Sequence, residues 1–180
     1  MCIKFAAMNI LENFKKIKTF VFDVDGVMTD GSVLVQGGRE YFRSLNTKDG
    51  YALQLAVKSG FNVAVITGGY MPAVIERMEF LGVTKVFQSV KNKVTCFETY
   101  CIENNINPSE TLYMGDDVPD YDVMKAVGLA CCPADAVSEI KEISHYISPL
   151  AGGRGCVRDV LEKALKLNGC WELNTSVRSM

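Results

Sequence analysis

The sequence predicts an α/β fold, a parallel sheet covered by helices on both faces. Short apolar runs alternate with longer amphipathic runs along the chain, and strands joined through helices in this way form parallel sheets. Glycine and proline stand at several ends of the amphipathic runs, where they begin or end helices. The sequence holds no internal repeat and no low-complexity tract, so we expect a single domain.

The first third of the chain predicts a strand, a hairpin and a helix. Residues 19–23 (TFVFD) form the first strand. Residues 32–42 (SVLVQGGREYF) predict a β-hairpin, because Gly37-Gly38 separates two strand-like segments as a tight turn does. Residues 50–60 predict a helix that ends at its terminal glycine.

The rest of the chain repeats the order of strand and helix. Residues 62–67 predict a strand, and residues 71–82 a helix with Pro72 near its first turn and Gly82 just past its end. Further strands are predicted at 85–88, 111–117, 129–132 and 146–148, and further helices at 93–105, 120–128, 136–143 and 156–167.

Composition excludes several classes of function. The chain has 180 residues, of which 48% are hydrophobic and 22% charged, a profile typical of globular proteins. A net charge of −2 argues against a nucleic-acid-binding protein. No apolar run approaches the roughly 20 residues that span a bilayer, so we expect no membrane partner. Polar residues interrupt the apolar run within residues 1–16, which predicts an amphipathic helix rather than a signal peptide.

Cysteine and histidine usage narrows the chemistry further. The seven cysteines form no CxxC pair, which predicts free thiols in a reducing cytoplasm. His145 is the only histidine, which argues against a Ser-His-Asp triad or a multi-histidine metal centre. We expect His145 to be a structural or surface residue.

Polar residues stand where three of the predicted strands end. Asp23 ends the first strand, Thr67 ends another, and the pair Asp116-Asp117 follows a third. In open parallel sheets, ligands bind at the carboxyl ends of the strands. The sequence therefore predicts one shared site at this edge of the sheet.

The acidic residues at this edge predict a divalent cation. Asp23 and Asp25 are two apart and can face one cavity, and Gly26 allows the backbone to turn closely around a ligand. With Asp116 and Asp117, several carboxylates that repel one another would converge. An open set of oxygen ligands favours Mg²⁺ over zinc.

A hydroxyl and an ammonium group complete a site suited to phosphoryl transfer. Thr67 and the backbone N–H groups at Gly68 can hold phosphate oxygens, and Lys93 can supply a positive charge to them. Phosphoryl transfer depends on such positioning and charge neutralisation. Each residue taken alone has an ordinary structural interpretation, whereas their order and strand-end placement favour the functional one.

Four short motifs resemble those of the haloacid dehalogenase superfamily of phosphatases. They are DVDGVMTDG, ITGG, VKNK and MGDDVPD; NTKDGYAL and AGGRGCVRDV add a resemblance to the capless branch that acts on phosphates of 2-keto-3-deoxy sugar acids such as 3-deoxy-D-manno-octulosonate (KDO). The resemblance implies a Rossmann-like, capless fold with a protruding β-hairpin. It covers residues 17–167, leaving an N-terminal extension, 1–16, and a C-terminal tail, 168–180.

The resemblance also implies roles for individual residues. Asp23 would be the nucleophile that forms an aspartyl-phosphate, and Asp25 the general acid and base. Mg²⁺ would be held by the Asp23 carboxylate, the Asp25 carbonyl and Asp116, with support from Asp117 and Asp120. Thr67 and Lys93 would hold the phosphoryl group.

Further residues are implied to contact the substrate. They are Asn46, Thr47, Lys48, Asp49, Gly50, Gly68, Arg77 and Arg154. The family forms a homotetramer through the hairpin, in which a neighbour's C-terminal segment approaches each site; AGGRG, with Arg154, would be that segment here. For Arg77 and Arg154, solvated surface positions remain nearly as good an interpretation.

The sequence departs from the family at Gly69, where many members carry a charged residue that contacts the acid end of the substrate. KDO 8-phosphate is the expected substrate, and a nine-carbon 2-keto-3-deoxy acid 9-phosphate is the alternative. A receiver-type signalling domain uses similar residues but in another order along the chain. A catalytically silent scaffold remains the other rival, although Asp23 and Asp25 are intact.

Overall fold

The sheet is built around its first strand, β1 (Thr19–Phe22), which the short helix α1 (Ile10–Lys16) precedes. The computed structural model describes residues 10–35 and 41–172. The later strands are β2 (Leu34–Val35), β3 (Tyr41–Phe42), β4 (Asn62–Ile66), β5 (Lys85–Phe87), β6 (Thr111–Met114), β7 (Leu129–Cys132) and β8 (Tyr146–Ile147). The later helices are α2 (Thr47–Lys58), α3 (Pro72–Phe80), α4 (Lys93–Asn104), α5 (Tyr121–Lys125), α6 (Ser138–Ile143) and α7 (Cys156–Leu167).

Six strands form one parallel sheet in the order β5-β4-β1-β6-β7-β8. β1 lies between β4 and β6, with Phe22 opposite Val65 on one side and Met114 on the other. The chain therefore changes direction across the sheet at β1, and a crevice opens at the carboxyl end of that strand. The α/β fold predicted from the sequence is confirmed.

Helices cover both faces of the sheet because the strand pleat sends alternate side chains to opposite sides. Phe20 and Phe22 are fully buried in a core that α1, α2, α3 and α7 complete. Val21 is buried in a second core, shared with α4, α5 and α6. β1 therefore lies buried between two apolar layers.

The predicted hairpin is present as the antiparallel pair β2–β3, outside the main sheet. Its described side chains are largely exposed: Leu34 shows 62% and Val35 67% of its surface. The predicted turn at Gly37-Gly38 lies outside the described residues.

Both ends of the described chain pack onto the domain. Phe14 of α1 is fully buried and meets the ring of Tyr146 edge-on. Trp171 meets the ring of Tyr51, also edge-on. Residues 1–9 of the expected N-terminal extension and 173–180 of the expected tail lie outside the described residues. None of the helices described in 10–35 and 41–172 has the length and apolarity to cross a bilayer.

Candidate active site

The backbone turns sharply after β1, which brings Asp23 and Asp25 to the crevice. Asp23 is extended, and Gly26 adopts a φ of +79°, a conformation that glycine tolerates best. A β-carbon at Gly26 would also collide with the carboxylate of Asp116, which follows β6. The glycine is thus required both by the turn and by the close approach of a second acidic loop.

Asp23 is a buried carboxylate with only one of its oxygens paired. Its exposed fraction is 7%. Oδ2 lies 2.9 Å from the Nζ of Lys93, whereas Oδ1 is buried and has no hydrogen-bond partner among the described residues. Burial, followed by the nearby charge of Asp120, raises the pKa of Asp23 to about 7. A buried carboxylate oxygen without a hydrogen-bond partner can coordinate a cation or attack an electrophile.

Lys93 is the buried cation of the site and joins two carboxylates. It is the first residue of α4, and its Nζ lies 2.9 Å from Asp23 Oδ2 and 2.7 Å from Asp120 Oδ1. Burial by itself lowers the pKa of Lys93, but the two carboxylates outweigh that effect and raise it above its ordinary value. Lys93 is therefore a fixed positive charge beside Asp23.

Asp120 is held by hydrogen bonds on both of its oxygens. The hydroxyl of Tyr113 donates to Oδ1 at 2.7 Å, and the backbone N–H of Asp116 donates to Oδ2 at 3.3 Å. Because Lys93 also donates to Oδ1, Asp120 acts mainly to position Lys93 and the acidic loop.

The carboxylates fit a divalent cation. Oxygens of Asp23, Asp116 and Asp120 lie within 4.8 Å of one another. Burial, followed by the charges of Asp23, Asp120 and Asp117, raises the pKa of Asp116 to about 7. Three acids at such distances, one with an unpaired buried oxygen, are the hard oxygen ligands that Mg²⁺ and similar ions prefer. Asp117 lies at the rim and caps its own turn, accepting from the N–H of Val118 at 2.8 Å.

Asp25 is engaged by an arginine that the sequence did not reveal. Arg43 donates from Nε to Asp25 Oδ1 at 2.6 Å and from Nη2 to Oδ2 at 3.0 Å. The pair is bidentate, the strong geometry for a guanidinium and a carboxylate. Arg43 comes from the segment between β3 and α2, so the hairpin connection is tied directly to the site.

Thr67 and the glycines after β4 also line the site. The Thr67 side chain is buried, and its Oγ1 accepts from the N–H of Gly69 at 3.2 Å. Its hydroxyl proton has only a 4.0 Å contact with the Met71 sulfur, a weak acceptor, and remains available to a ligand. Together these residues enclose a cavity of about 300 Å³, lined by Asp23, Asp25, Gly26, Gly31, Thr67, Gly68, Gly69, Lys93, Asp116, Asp117, Pro119 and Asp120.

The other predicted substrate residues do not line this cavity. Asn46 caps α2 by accepting from the N–H of Lys48 at 2.9 Å, and it donates to the Gly153 carbonyl at 3.2 Å. Asp49 accepts from the backbone N–H of Arg158 at 2.7 Å. Thr47 begins α2, and Arg77 lies beside Gly50 at a small separate cleft.

The AGGRG segment of the same chain, residues 151–155, packs against the loop that follows β1. Gly153 donates its N–H to the Val27 carbonyl at 2.9 Å, and a β-carbon at Gly152 would collide with the carbonyl of Gly26. Arg154 points outward, 71% exposed by side chain, with its Nη2 3.7 Å from Asp30.

Sequence reasoning missed Arg43 and Tyr113. Arg43 follows the predicted hairpin as one of several cations, with no motif to mark it. Tyr113 lies in a buried strand between Leu112 and Met114, where only its hydroxyl, which must find a partner, signals a polar role.

Comparisons with known proteins show the family of the chain. A model of haloacid dehalogenase-like hydrolases matches residues 80–157. The 3-deoxy-D-manno-octulosonate 8-phosphate phosphatase of Escherichia coli is 33% identical over 168 residues, covering 93% of this chain and 89% of that protein. The corresponding phosphatase of Salmonella typhimurium is 34% identical over 161 residues, covering 89% and 86%.

Solved structures show the same fold. The crystal structure of the 3-deoxy-D-manno-octulosonate 8-phosphate phosphatase of Yersinia pestis matches with a TM-score of 0.86 and 31% identity, covering 89% of this chain and 87% of that one. The enzyme from Moraxella catarrhalis, in complex with magnesium ion, phosphate ion and KDO, matches with a TM-score of 0.84 and 31% identity, covering 88% and 91%. The chain therefore belongs to the haloacid dehalogenase superfamily and is a phosphatase of its capless branch, similar to the 3-deoxy-D-manno-octulosonate 8-phosphate phosphatases.

Proposed function

We propose that this phosphatase hydrolyses KDO 8-phosphate to KDO and inorganic phosphate with the help of Mg²⁺. One observation carries the chemistry: Asp23, which lines the cavity beside the fixed cation Lys93, has a buried oxygen without a hydrogen-bond partner among the described residues. The choice of substrate is based on the relatives, which are named as phosphatases of this sugar-acid phosphate.

In the first step, an oxygen of Asp23 attacks the phosphorus atom. The bond between phosphorus and the sugar oxygen breaks, and Asp25 gives its proton to that oxygen as the sugar leaves. Lys93 and the hydroxyl of Thr67, which both line the cavity, hold the phosphoryl oxygens in place. The product of this step is an aspartyl-phosphate at Asp23.

In the second step, water attacks the phosphorus of the aspartyl-phosphate. Asp25 takes the proton from the water, the bond between phosphorus and the Asp23 oxygen breaks, and phosphate leaves. Asp25 lies at the open side of the cavity with 36% of its side chain exposed, where both the leaving oxygen and the water can reach it.

The carboxylates of Asp23 and Asp116 and the carbonyl of Asp25 would hold the Mg²⁺ ion, with Asp117 and Asp120 around them. When bound, the ion offsets the repulsion between these carboxylates and neutralises charge on the transferring phosphoryl group. This assignment is supported by the unpaired Asp23 oxygen and by the raised pKa of Asp116.

We further propose that the enzyme is a homotetramer assembled through the β2–β3 hairpin. The hairpin exposes apolar side chains, among them Leu34 and Phe42, which a partner would cover. Lys48 and Arg154 line a separate groove of about 410 Å³ along α7, not the active-site cavity of their own chain. They would therefore contact substrate in the active site of a neighbouring copy. The six described cysteines are all free, which fits a cytoplasmic enzyme.

A second candidate substrate is a nine-carbon 2-keto-3-deoxy acid 9-phosphate. Gly69 is the reason for this alternative. Because position 69 carries no charged side chain, the wall after β4 does not select for the length of the sugar there.

A phosphatase assay with Mg²⁺ tests the proposal. We expect faster hydrolysis of KDO 8-phosphate than of the nine-carbon 9-phosphate or of generic phosphomonoesters, and loss of activity with a chelator. Asp23→Asn should lower kcat by on the order of 10³-fold or more, since the nucleophile is removed. Asp122→Asn, an exposed acid on α5, is the matched control. Turnover retained in Asp23→Asn would refute the mechanism, and equal rates on all esters would refute the substrate.

A further inference from the structure

Arg43 is a buried cation beside the active site that the mechanism above leaves without a role. Its side chain is only 7% exposed, and its bidentate pair with Asp25 fixes the guanidinium plane beside a residue that lines the active-site cavity. An arginine so constrained has lost its rotamer freedom before any ligand arrives. It is therefore preorganised to bind an anion.

The guanidinium retains donors for a ligand. Of the five N–H groups of an arginine, one on Nε and one on Nη2 donate to Asp25, and one on Nη1 donates to the Tyr41 carbonyl at 3.1 Å. The remaining two have no acceptor among the described residues. Nη2 also lies 3.6 Å from the position that a β-carbon at Gly69 would occupy, so no side chain at 69 covers it.

The leaving group of the substrate would extend towards Arg43. The phosphoryl group lies among Asp23, Thr67 and Lys93, and the leaving oxygen must reach Asp25. The rest of the sugar would then extend past Asp25, the residue to which Arg43 is bonded.

Beyond Arg43 is a second cavity, of about 290 Å³. Tyr41, Tyr70 and Met71 are among its lining residues, together with Arg43 itself. Within the described residues, Lys93 and Arg43 are the only cations that line either cavity. Lys93 is assigned to the phosphoryl group, which leaves Arg43, with its two remaining N–H groups, for a negative charge on the sugar.

We propose that Arg43 determines specificity by binding the carboxylate of the sugar-acid leaving group while it remains anchored on Asp25. A planar guanidinium is suited to a carboxylate, because two N–H groups can donate to its two oxygens. The sugar carbons would extend into the cavity bounded by Tyr41 and Tyr70. This inference rests on the proposed sugar-acid substrate.

The test compares two substrates that share a primary-alcohol leaving oxygen but differ in the carboxylate. KDO 8-phosphate carries it, and arabinose 5-phosphate lacks it. In Arg43→Gln we expect kcat/KM for KDO 8-phosphate to fall about 10- to 100-fold more than that for arabinose 5-phosphate, as loss of a charged hydrogen-bond partner predicts. Arg43→Lys should recover part of the loss. Lys18→Gln, an exposed cation at the opposite end of β1, should change neither rate.

Inhibition provides a readout that does not depend on turnover of the sugar acid. With p-nitrophenyl phosphate as reporter, the inhibition constant of free KDO should rise in Arg43→Gln, whereas that of inorganic phosphate should not. Equal losses on both substrates with unchanged inhibition by KDO would mean that Arg43 only positions Asp25, and would overturn the inference. A wild-type enzyme without preference for KDO 8-phosphate would instead refute the proposed substrate. Thermal melting of each variant checks that it is folded.

Discussion

At the scale of single residues, Asp23 and Asp116 illustrate how a functional site costs stability. Burial places each carboxyl group where its charged form is disfavoured, and the pKa of each rises to about 7. In an unfolded chain the same groups titrate near 3.8. The folded state therefore keeps protons that the unfolded state releases between these two pH values.

This difference predicts how the metal-free protein responds to pH. Because the folded pKa values are raised, the stabilisation is complete below about pH 4 and is lost as the pH rises towards about 7. With a chelator present, the titration of these two groups should contribute a decrease in melting temperature as the pH rises over this range. Asp116→Asn should show a smaller decrease. A wild-type profile with the same slope as that of Asp116→Asn would contradict the prediction.

Added Mg²⁺ should reverse the loss, since a cation stabilises the ionised carboxylates. We expect the rise in melting temperature on adding Mg²⁺ to be larger at pH 7.5 than at pH 5, where protons compete for the same oxygens. Ca²⁺ is the comparison ion, and a rise independent of pH would indicate binding elsewhere on the chain.

At the scale of elements, Asp49 joins α2 to α7. The N-cap of α7 is Gly155, which has no side chain to satisfy the first N–H groups of the helix. The Asp49 carboxylate does so from α2 by accepting from the N–H of Arg158. Its other oxygen is buried without a partner among the described residues, and burial raises its pKa to about 6.

Two substitutions separate the cap from the charge at Asp49. Asp49→Ala removes the acceptor and should lower the free energy of unfolding by about 1–2 kcal/mol, as other lost caps do. Asp49→Asn keeps an acceptor and removes the ionisation, so the wild type should lose stability relative to it as the pH rises from about 4 to about 6. Urea unfolding at several pH values measures both effects. If the wild type instead became more stable relative to Asp49→Asn as the pH rises over this range, the assignment would be refuted.

At the scale of the whole molecule, the β2–β3 hairpin is the surface that should control assembly. We expect light scattering to give a mass of about four times the 19.8 kDa of one chain. Leu34→Glu should shift the mass towards smaller species with little change in the fold, because Leu34 is 62% exposed in the single chain. Ile102→Glu, 78% exposed on α4, is the matched control. A monomeric wild type at micromolar concentration would refute the tetramer.

Most of the fold could be predicted because its signals are local. Among the described residues, each predicted strand and helix has a counterpart, including the hairpin strands and the short β8, although α2 begins at Thr47 rather than at residue 50 and α5 ends at Lys125 rather than at residue 128. Apolar runs, glycine stops and helix periodicity act within a few residues of each other, so they survive in a single sequence. The gathering of Asp23, Thr67, Lys93 and Asp116 also followed, since parallel strands bring their carboxyl ends together.

The sequence by itself determined the order of strands and helices, the acids at the strand ends and membership of a phosphatase superfamily. Only the tertiary structure decided which charges meet: Lys93 between Asp23 and Asp120, Arg43 on Asp25, and Asp49 on α7 rather than in the cavity. The physical reason is that such pairs join residues far apart in the chain. Their contact depends on how whole elements pack and on where buried polar groups find partners, which no local pattern records.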